Sequence, residues 1–256
     1  MAPPREPTCS VSVVSHGQGA LVAALLDDLD RSCGVDLEVI VTVNVPEDEA
    51  YLAARRRFPV TVVRNAAPRG FGANHNAAFT RSSGGVFVVV NPDIRFVADP
   101  LPPLLETLRR KEVGVCGPKV VSPAGTLEDS ARRFPTAATL LARRLLDRRS
   151  IDYRIGAEPI PVDWLAGMFV ACRRETFADL GGFDARYFLY FEDVDLCRRA
   201  REEGLDVVLD PRSCVVHDAR RGSHRSLKHL AWHVRGALRY LTTPRSRRWR
   251  VGTGMS

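Results

Sequence analysis

The sequence predicts an α/β domain with a mostly parallel central sheet flanked by helices, followed by a basic helical tail. Three observations carry this expectation. Short Val- and Ile-rich runs alternate with helix-patterned segments through the first hundred residues, the order that builds strand–helix–strand units. Runs such as LEVIVTV and VFVVV are apolar without a break, as strands covered on both faces must be. The charge is divided: the 256-residue chain carries +7, yet from residue 219 onward ten Arg or Lys occur with no Asp or Glu. The remainder is therefore mildly acidic, and the division predicts a domain over 1–218 and a tail over 219–256.

The elements follow in order. Residues 10–15 are a buried strand, HGQG a turn, and LVAALLDDLDRSC an amphipathic helix. LEVIVTVNV is the second strand. PEDEAYLAARRRF reads as a helix, with Pro46 at its start and acids in its first turn, where the helix dipole favours them. VTVVRN is the third strand, residues 72–82 a helix, and residues 86–90 the fourth strand. LPPLLETLRRK predicts a helix, VGVCGPKVV a strand, and residues 137–147 a helical stretch within an Arg-rich connection. VDWLAGMFVACRRETFADLGGFD runs strand, helix, Gly-Gly turn. FEDVDLCRRAREEG begins a helix, with Asp193 or Asp195 as cap and Asp195/Arg199 and Arg198/Glu202 as i,i+4 pairs. Glu192 and Asp193 are expected just before that helix, and GLDVVLDPRSCVVH reads as two short strands. In the tail, Leu227, Leu230, Ala231, Val234, Leu238 and Leu241 recur at helical spacing.

Several classes of function are disfavoured. The six cysteines form no CxxC pair and fall largely in apolar runs, which predicts reduced thiols in a cytoplasmic protein, not a disulfide framework or zinc site. The N-terminus lacks the apolar run of a secretory leader, and no stretch is long and apolar enough for a spanning helix. A basic character confined to the tail argues against nucleic acid as partner.

In open α/β sheets ligands bind beyond the carboxyl ends of the strands. Ser15, Asn44, Asn65 and Asn91-Pro92-Asp93 stand at such ends. Asn91 and Asp93 offer hard oxygens suited to Mg²⁺ or Mn²⁺, although Asn-Pro-Asp is also ordinary turn chemistry. In RNAAPRGFGANHNAAF, Gly70 and Gly72 let backbone approach a ligand, and Asn76 lies near a helix start that favours anions; the bland reading is a capped helix after a glycine turn. Glu192 and Asp193 sit among Phe188, Tyr190 and Phe191. Acids in an apolar setting are costly unless paired or used, and a desolvated carboxylate there suits a general base. His217 closes the VVH strand end and is a candidate metal ligand; a lone histidine is more often structural. His224, His229 and His233 receive no chemical role.

Taken together, WLAGMFVACRRETFADLGGFDARYFLYFEDVDLCRRAREEGLDVVLDPRSCVVH, NAAPRGFGANHNAAF and NPD resemble the family 2 inverting glycosyltransferases with the GT-A fold, in particular the bacterial rhamnosyltransferase-like branch that builds cell-surface polysaccharide. The resemblance spans about residues 10–217. It implies transfer of a sugar from a nucleoside-diphosphate donor, such as deoxythymidine diphosphate-rhamnose, to a hydroxyl of a saccharide or lipid-linked acceptor. It implies Asp93 and His217 as ligands of Mg²⁺ or Mn²⁺, with Asn91 at the first position of the family's DxD motif. Asp193 becomes the base and Glu192 the group that orients base or acceptor. Trp164, Gly167 and Met168 line the acceptor side, and Ser15, Asn44, Asn65, Gly70, Gly72 and Asn76 hold the nucleotide.

This chain departs from the family pattern in three places. Val43 replaces the Asp that usually precedes the Asn ending the second strand, His16-Gly17 replaces Tyr-Asn, and Asn91 replaces the first Asp of DxD. A catalytically degenerate nucleotide-sugar-binding protein of the same fold is thus one alternative, and a nucleotidyltransferase another. The nucleotidyltransferase would not need the late GGFD–EDVD–VVH block. The tail is compatible with peripheral contact at the inner face of the cytoplasmic membrane, or with a helix packed on the domain.

Overall fold

The computed structural model describes residues 7–140, 151–218 and 227–244. Strands β1 (Cys9–Ser15), β2 (Leu37–Val43), β3 (Val60–Arg64) and β4 (Val86–Val90) pair in parallel, in the order β3-β2-β1-β4. The sheet continues through β10 (Phe169–Arg173), β6 (Val113–Val121), β11 (Asp206–His217) and β5 (Ile94–Phe96), with β8 (Ile160–Val162) also on β11. β6 and β11 are parallel to one another; β10, β5 and β8 run antiparallel to their neighbours. A separate pair joins β7 (Ala131–Arg132) to β9 (Trp164–Leu165).

Both faces of the sheet are covered, which is why its strands read as continuous apolar runs. On one face Val11, Val13, Val39 and Val41 pack with Leu25, Leu26 and Leu29 of α1 (Gly19–Ser32) and Leu104 of α3 (Leu101–Leu108). On the other, Ile40, Phe87 and Val89 meet Ala78 of α2 (Phe71–Phe79), Phe177 of α4 (Arg174–Asp179) and Val194 of α5 (Glu192–Glu202). Burial at about 25 cal/mol per Å² of apolar surface makes these two layers the main stabilising contribution. All six cysteines are free thiols, five of them buried.

Three expectations change. PEDEAYLAARRRF forms only a 3-10 turn, Ala50–Ala53. Its acids bond both within it and outside it: Glu47 accepts from Ser15 and Tyr51, Asp48 from the backbone of Ala50, and Glu49 from Arg64. With no residue of the turn buried, nothing offsets the cost of nucleating a helix there. GLDVVLDPRSCVVH is one long strand, whose pairing with β6 shifts between Asp210 and Cys214 around Pro211. Such an irregularity is where a proline, lacking an N–H, is tolerated. Glu192 and Asp193 lie inside the first turn of α5, and neither Asp193 nor Asp195 caps it: Phe191 occupies the N-cap. Of the helix expected over 137–147, residues 137–140 are helical and the rest lies outside the described residues.

The last helix, α6 (Leu227–Thr242), packs back on the domain, but not through its leucines. Trp232 stacks on Phe188 at 4.7 Å between ring centroids, Tyr240 packs with Phe191 at 5.8 Å, and Gly236 lies against Phe191. Leu230, Val234, Leu238 and Leu241 are exposed. The surface that α6 meets is aromatic, and rings, His229 and a glycine fit it.

Candidate functional site

The site assembles where the carboxyl ends of β4 and β11 meet the start of β10. β4 ends at Val90, and the next residue, Asn91, donates its backbone N–H to Met168 O at 2.8 Å. Asn91 O accepts from Ile94 N (3.2 Å), closing the Asn-Pro-Asp turn. The motif is thus a turn and a strand-end cluster at once. Asp93 then falls beside the end of β11, because His217 is in register with Ile94. Asp93 Oδ2 lies 3.3 Å from His217 Nε2, while Asp93 Oδ1 is buried with no hydrogen-bond partner. On its other side, His217 Nδ1 is 2.6 Å from Glu128 Oε2. The bond to Asp93 raises the imidazole pKa to about 9, against the opposing effect of burial and with help from Glu128.

The second half is built by α5. Tyr190 and Phe191 both have φ of 73°, a left-handed conformation that costs bulky side chains about 1–3 kcal/mol each. Contacts on both sides hold this turn. Phe188 O accepts from Phe71 N at 2.8 Å, the Tyr190 hydroxyl bonds His229 Nδ1 at 2.9 Å, and Phe191 packs against His233 at 5.2 Å. The turn delivers the next two residues, Glu192 and Asp193, to the sheet edge. Asp193 Oδ2 accepts from Gly167 N (2.9 Å) and Oδ1 from Val194 N (2.8 Å). Asp193 keeps some solvent access; Glu192 is 4% exposed and its Oε2 has no partner. Desolvation raises the pKa of both, with the neighbouring Asp193 charge pushing Glu192 well above the usual carboxylate range. Two backbone donors favour the negative charge on Asp193 and leave Glu192 as the neutral partner.

Gly167, Met168, Asn91, Asp93, Asp193 and His217 are therefore contiguous through backbone or side-chain bonds. Trp164 is buried, donates its indole N–H to Arg133 O at 3.0 Å and lies under the Arg132 guanidinium; Arg132 in turn favours the charged form of Asp193.

The residues expected to hold a nucleotide form a network of their own. Asn44 Oδ1 accepts from Asn65 Nδ2 and from Arg69 N, both at 2.8 Å, and Asn65 also donates to Asn74 at 2.7 Å. Asn44 Nδ2 is near His16 Nδ1 at 3.1 Å, and Ser15 Oγ donates to Glu47 at 2.7 Å. These bonds fix the 65–70 loop beyond the ends of β1 to β3. Val43 is buried in the core, so the position carries no polar group for a base.

Three residues are explained differently from the sequence reading. The amide of Asn76 exchanges two hydrogen bonds with the backbone of Phe183 (2.7 and 2.9 Å), pinning the Gly-Gly-Phe-Asp turn. A Cβ on Gly70 would stand 2.6 Å from Phe188 O, and one on Gly72 would stand 2.6 Å from Phe183 Cβ. Both glycines thus have a packing role, admitting Phe188 and Phe183. Gly70→Ala is expected to cost about 1–3 kcal/mol as overpacking. It should lower turnover further than the lost stability explains, because the atom it strikes belongs to the 188–191 turn; melting and activity measured side by side check this.

Glu128 and Glu47 were not singled out as site residues. Glu128 and His217 are 89 residues apart, and no local pattern links them.

A model of the family described as Glycosyltransferase like family 2 matches residues 4–248. The N-acetylglucosaminyl-diphospho-decaprenol L-rhamnosyltransferase of Mycobacterium tuberculosis is 28% identical over 94% of this chain and 86% of its own length. The rhamnosyltransferase WbbL of Escherichia coli is 26% identical, over 92% of this chain and 93% of its own. Among solved structures, GalNAc-T7 with UDP, GalNAc and Mn²⁺ superposes with a TM-score of 0.67 at 18% identity; the match covers 92% of this chain and 48% of that one. The mannosyltransferase PcManGT of Pyrobaculum calidifontis, in complex with GDP-Man and Mn²⁺, gives 0.63 at 20% identity, covering 92% of this chain and 65% of that one.

Proposed function

The chain belongs to glycosyltransferase family 2, and from that premise we propose that it is a metal-assisted, inverting rhamnosyltransferase acting on a diphospho-lipid-linked saccharide. It is a glycosyltransferase of GT-A architecture, of the kind that builds cell-surface polysaccharide. The donor class and acceptor follow the two relatives named as rhamnosyltransferases, one of them acting on an N-acetylglucosaminyl-diphospho-decaprenol. The observation that carries the mechanism is the shared sheet edge. A desolvated, partly accessible carboxylate, Asp193, sits one backbone bond from Gly167, and Asp93 with His217 sits two residues beyond Asn91.

Asp93 and His217 fit a divalent cation. Asp93 Oδ1 is a buried oxygen with no partner, beside an imidazole nitrogen, a donor set suited to Mn²⁺ or Mg²⁺ once the Nε2 proton is released on binding. Among the described residues no three acidic, His or Cys side chains form a metal-binding group, so substrate oxygens and water would complete the shell of a bound cation. A bound cation would neutralise charge on the departing diphosphate. Glu128 holds His217 by its Nδ1, leaving Nε2 to face Asp93. Glu128→Ala is expected to weaken Mn²⁺ binding about 10–100-fold, as losses of such outer partners do; titration calorimetry with Mn²⁺ and nucleoside diphosphate reads it.

Asp193 takes the proton of the acceptor hydroxyl. That oxygen forms its bond to the anomeric carbon as the bond from this carbon to the diphosphate breaks, and the nucleoside diphosphate leaves. One base and one displacement invert the anomeric configuration. Glu192, kept protonated by burial, supports Asp193 as a neutral neighbour. Glu192→Gln is therefore expected to keep activity within about tenfold of wild type while Asp193→Asn does not, a contrast in general-base loss that steady-state kinetics resolves.

The reading is tested by incubating the protein with deoxythymidine diphosphate-rhamnose, Mn²⁺ and a polyprenyl-diphospho-N-acetylglucosamine. Expected is release of the nucleoside diphosphate with a product of inverted configuration by NMR. Retention of configuration would overturn the single-displacement mechanism, and transfer only from another nucleotide sugar would overturn the donor.

A further inference from the structure

α6 is two-sided. Its inner face, His229, Trp232, Gly236 and Tyr240, is pressed against the 188–191 turn and the Arg198 guanidinium. Its outer face carries Leu230, Val234, Leu238 and Leu241, which are 38%, 48%, 59% and 41% exposed. At about 100° per residue these four form one ridge, roughly opposite the inner face, with Lys228 and Arg235 along one edge. Four large aliphatic side chains in line are an uncommon surface for a soluble domain. Ten Arg or Lys and no acid occur from residue 219 to the end, four of the arginines just after the helix at 245, 247, 248 and 250.

We propose that α6 lies flat on an anionic lipid bilayer, its Leu230–Leu241 ridge sunk into the headgroup layer and the neighbouring cations on the lipid phosphates. No helix among the described residues is long and apolar enough to cross a membrane, so α6 lies on the surface. Amphipathic helices of this composition bind by apolar burial plus attraction to anionic lipid. A protein partner with an apolar groove would account for the ridge but not for a flank and following segment that are uniformly cationic. The placement also has a consequence for the active site: the face opposite the ridge grips the turn that leads into Asp193. An interfacial α6 therefore sets the base-bearing end of the enzyme beside the lipid surface.

Flotation of the full-length chain with vesicles tests this, and it needs neither donor nor acceptor, so its failure leaves the transfer reading untouched. Expected is binding to phosphatidylcholine vesicles containing phosphatidylglycerol, at least about tenfold weaker on pure phosphatidylcholine, and weakened by salt. The double variant Val234→Ser/Leu238→Ser should bind at least about tenfold more weakly, with melting temperature and activity on a water-soluble acceptor analogue unchanged, since both residues are exposed. The proposal is overturned if the wild-type chain does not float with anionic vesicles. It is overturned equally if the ridge variant floats like wild type, which would leave the arginines acting alone. It also falls if the wild type is a dimer in solution that the ridge substitutions convert to a monomer, which would make a second copy the occupant.

Discussion

Asp193→Asn is expected to reduce kcat by about 10²–10⁴-fold, the range spanned by loss of a general base, with little change in KM for the donor. The amide keeps the shape of the side chain and one of the two bonds its oxygens accept from Gly167 N and Val194 N, so the protein should stay folded. The pH dependence gives an independent reading. Burial raises the Asp193 and Glu192 pair above the ordinary carboxylate range, so the acidic limb of kcat should lie above that range and vanish in the Asn variant. For stability the sign runs the same way. Over the interval between the unfolded and folded pKa values the native state holds more protons than the unfolded chain, so stability falls as pH rises through it. Asp193→Asn and Glu192→Gln should thus melt at or above wild-type temperature near neutral pH and lose that advantage in acid. Each 1 kcal/mol would read as about 2–4 °C in a chain of this size. A limb at ordinary carboxylate pH, or an Asn variant with full activity, would remove Asp193 as the base.

Asp93→Ala should abolish the Mn²⁺-dependent stabilisation by nucleoside diphosphate. A ligand at one hundred times its Kd adds about 2.7 kcal/mol to the folded state, or about 5–10 °C here. The wild-type chain with Mn²⁺ should show this shift for one preferred nucleotide, and Asp193→Ala should retain it, because Asp193 faces Gly167 and not the Asp93–His217 pair. The nucleotide that shifts the melt identifies the base. The sequence leaves that choice open, because the position before Asn44 is Val43, buried at 3% exposure, and offers the base no hydrogen bond. Equal shifts in wild type and Asp93→Ala would remove Asp93 from the metal site. They would also favour the reading of Asn91 as a sign of catalytic decay.

What the sequence determined by itself was local or periodic. The unbroken Val and Ile runs placed β1 to β4 and their parallel pairing, because strands buried on both faces have no polar side to display. The ordered block from GGFD through EDVD to VVH carried the family, and with it the pairing of Asp93 with His217. The i,i+4 spacing gave Asp195 with Arg199, found at 2.8 Å. What only the tertiary structure decided depends on segments far apart in the chain. Glu128 meets His217, Gly70 admits Phe188, and Asn76 pins Phe183. The 46–58 segment failed as a helix because Glu47 and Glu49 found partners outside it. The orientation of α6 was left open by the sequence for the same reason: helical spacing marks an apolar stripe, but which face is buried depends on the surface it meets. Here that surface is the ring-lined turn at Phe188, Tyr190 and Phe191, which selects Trp232, His233 and Tyr240 and leaves the leucines outside.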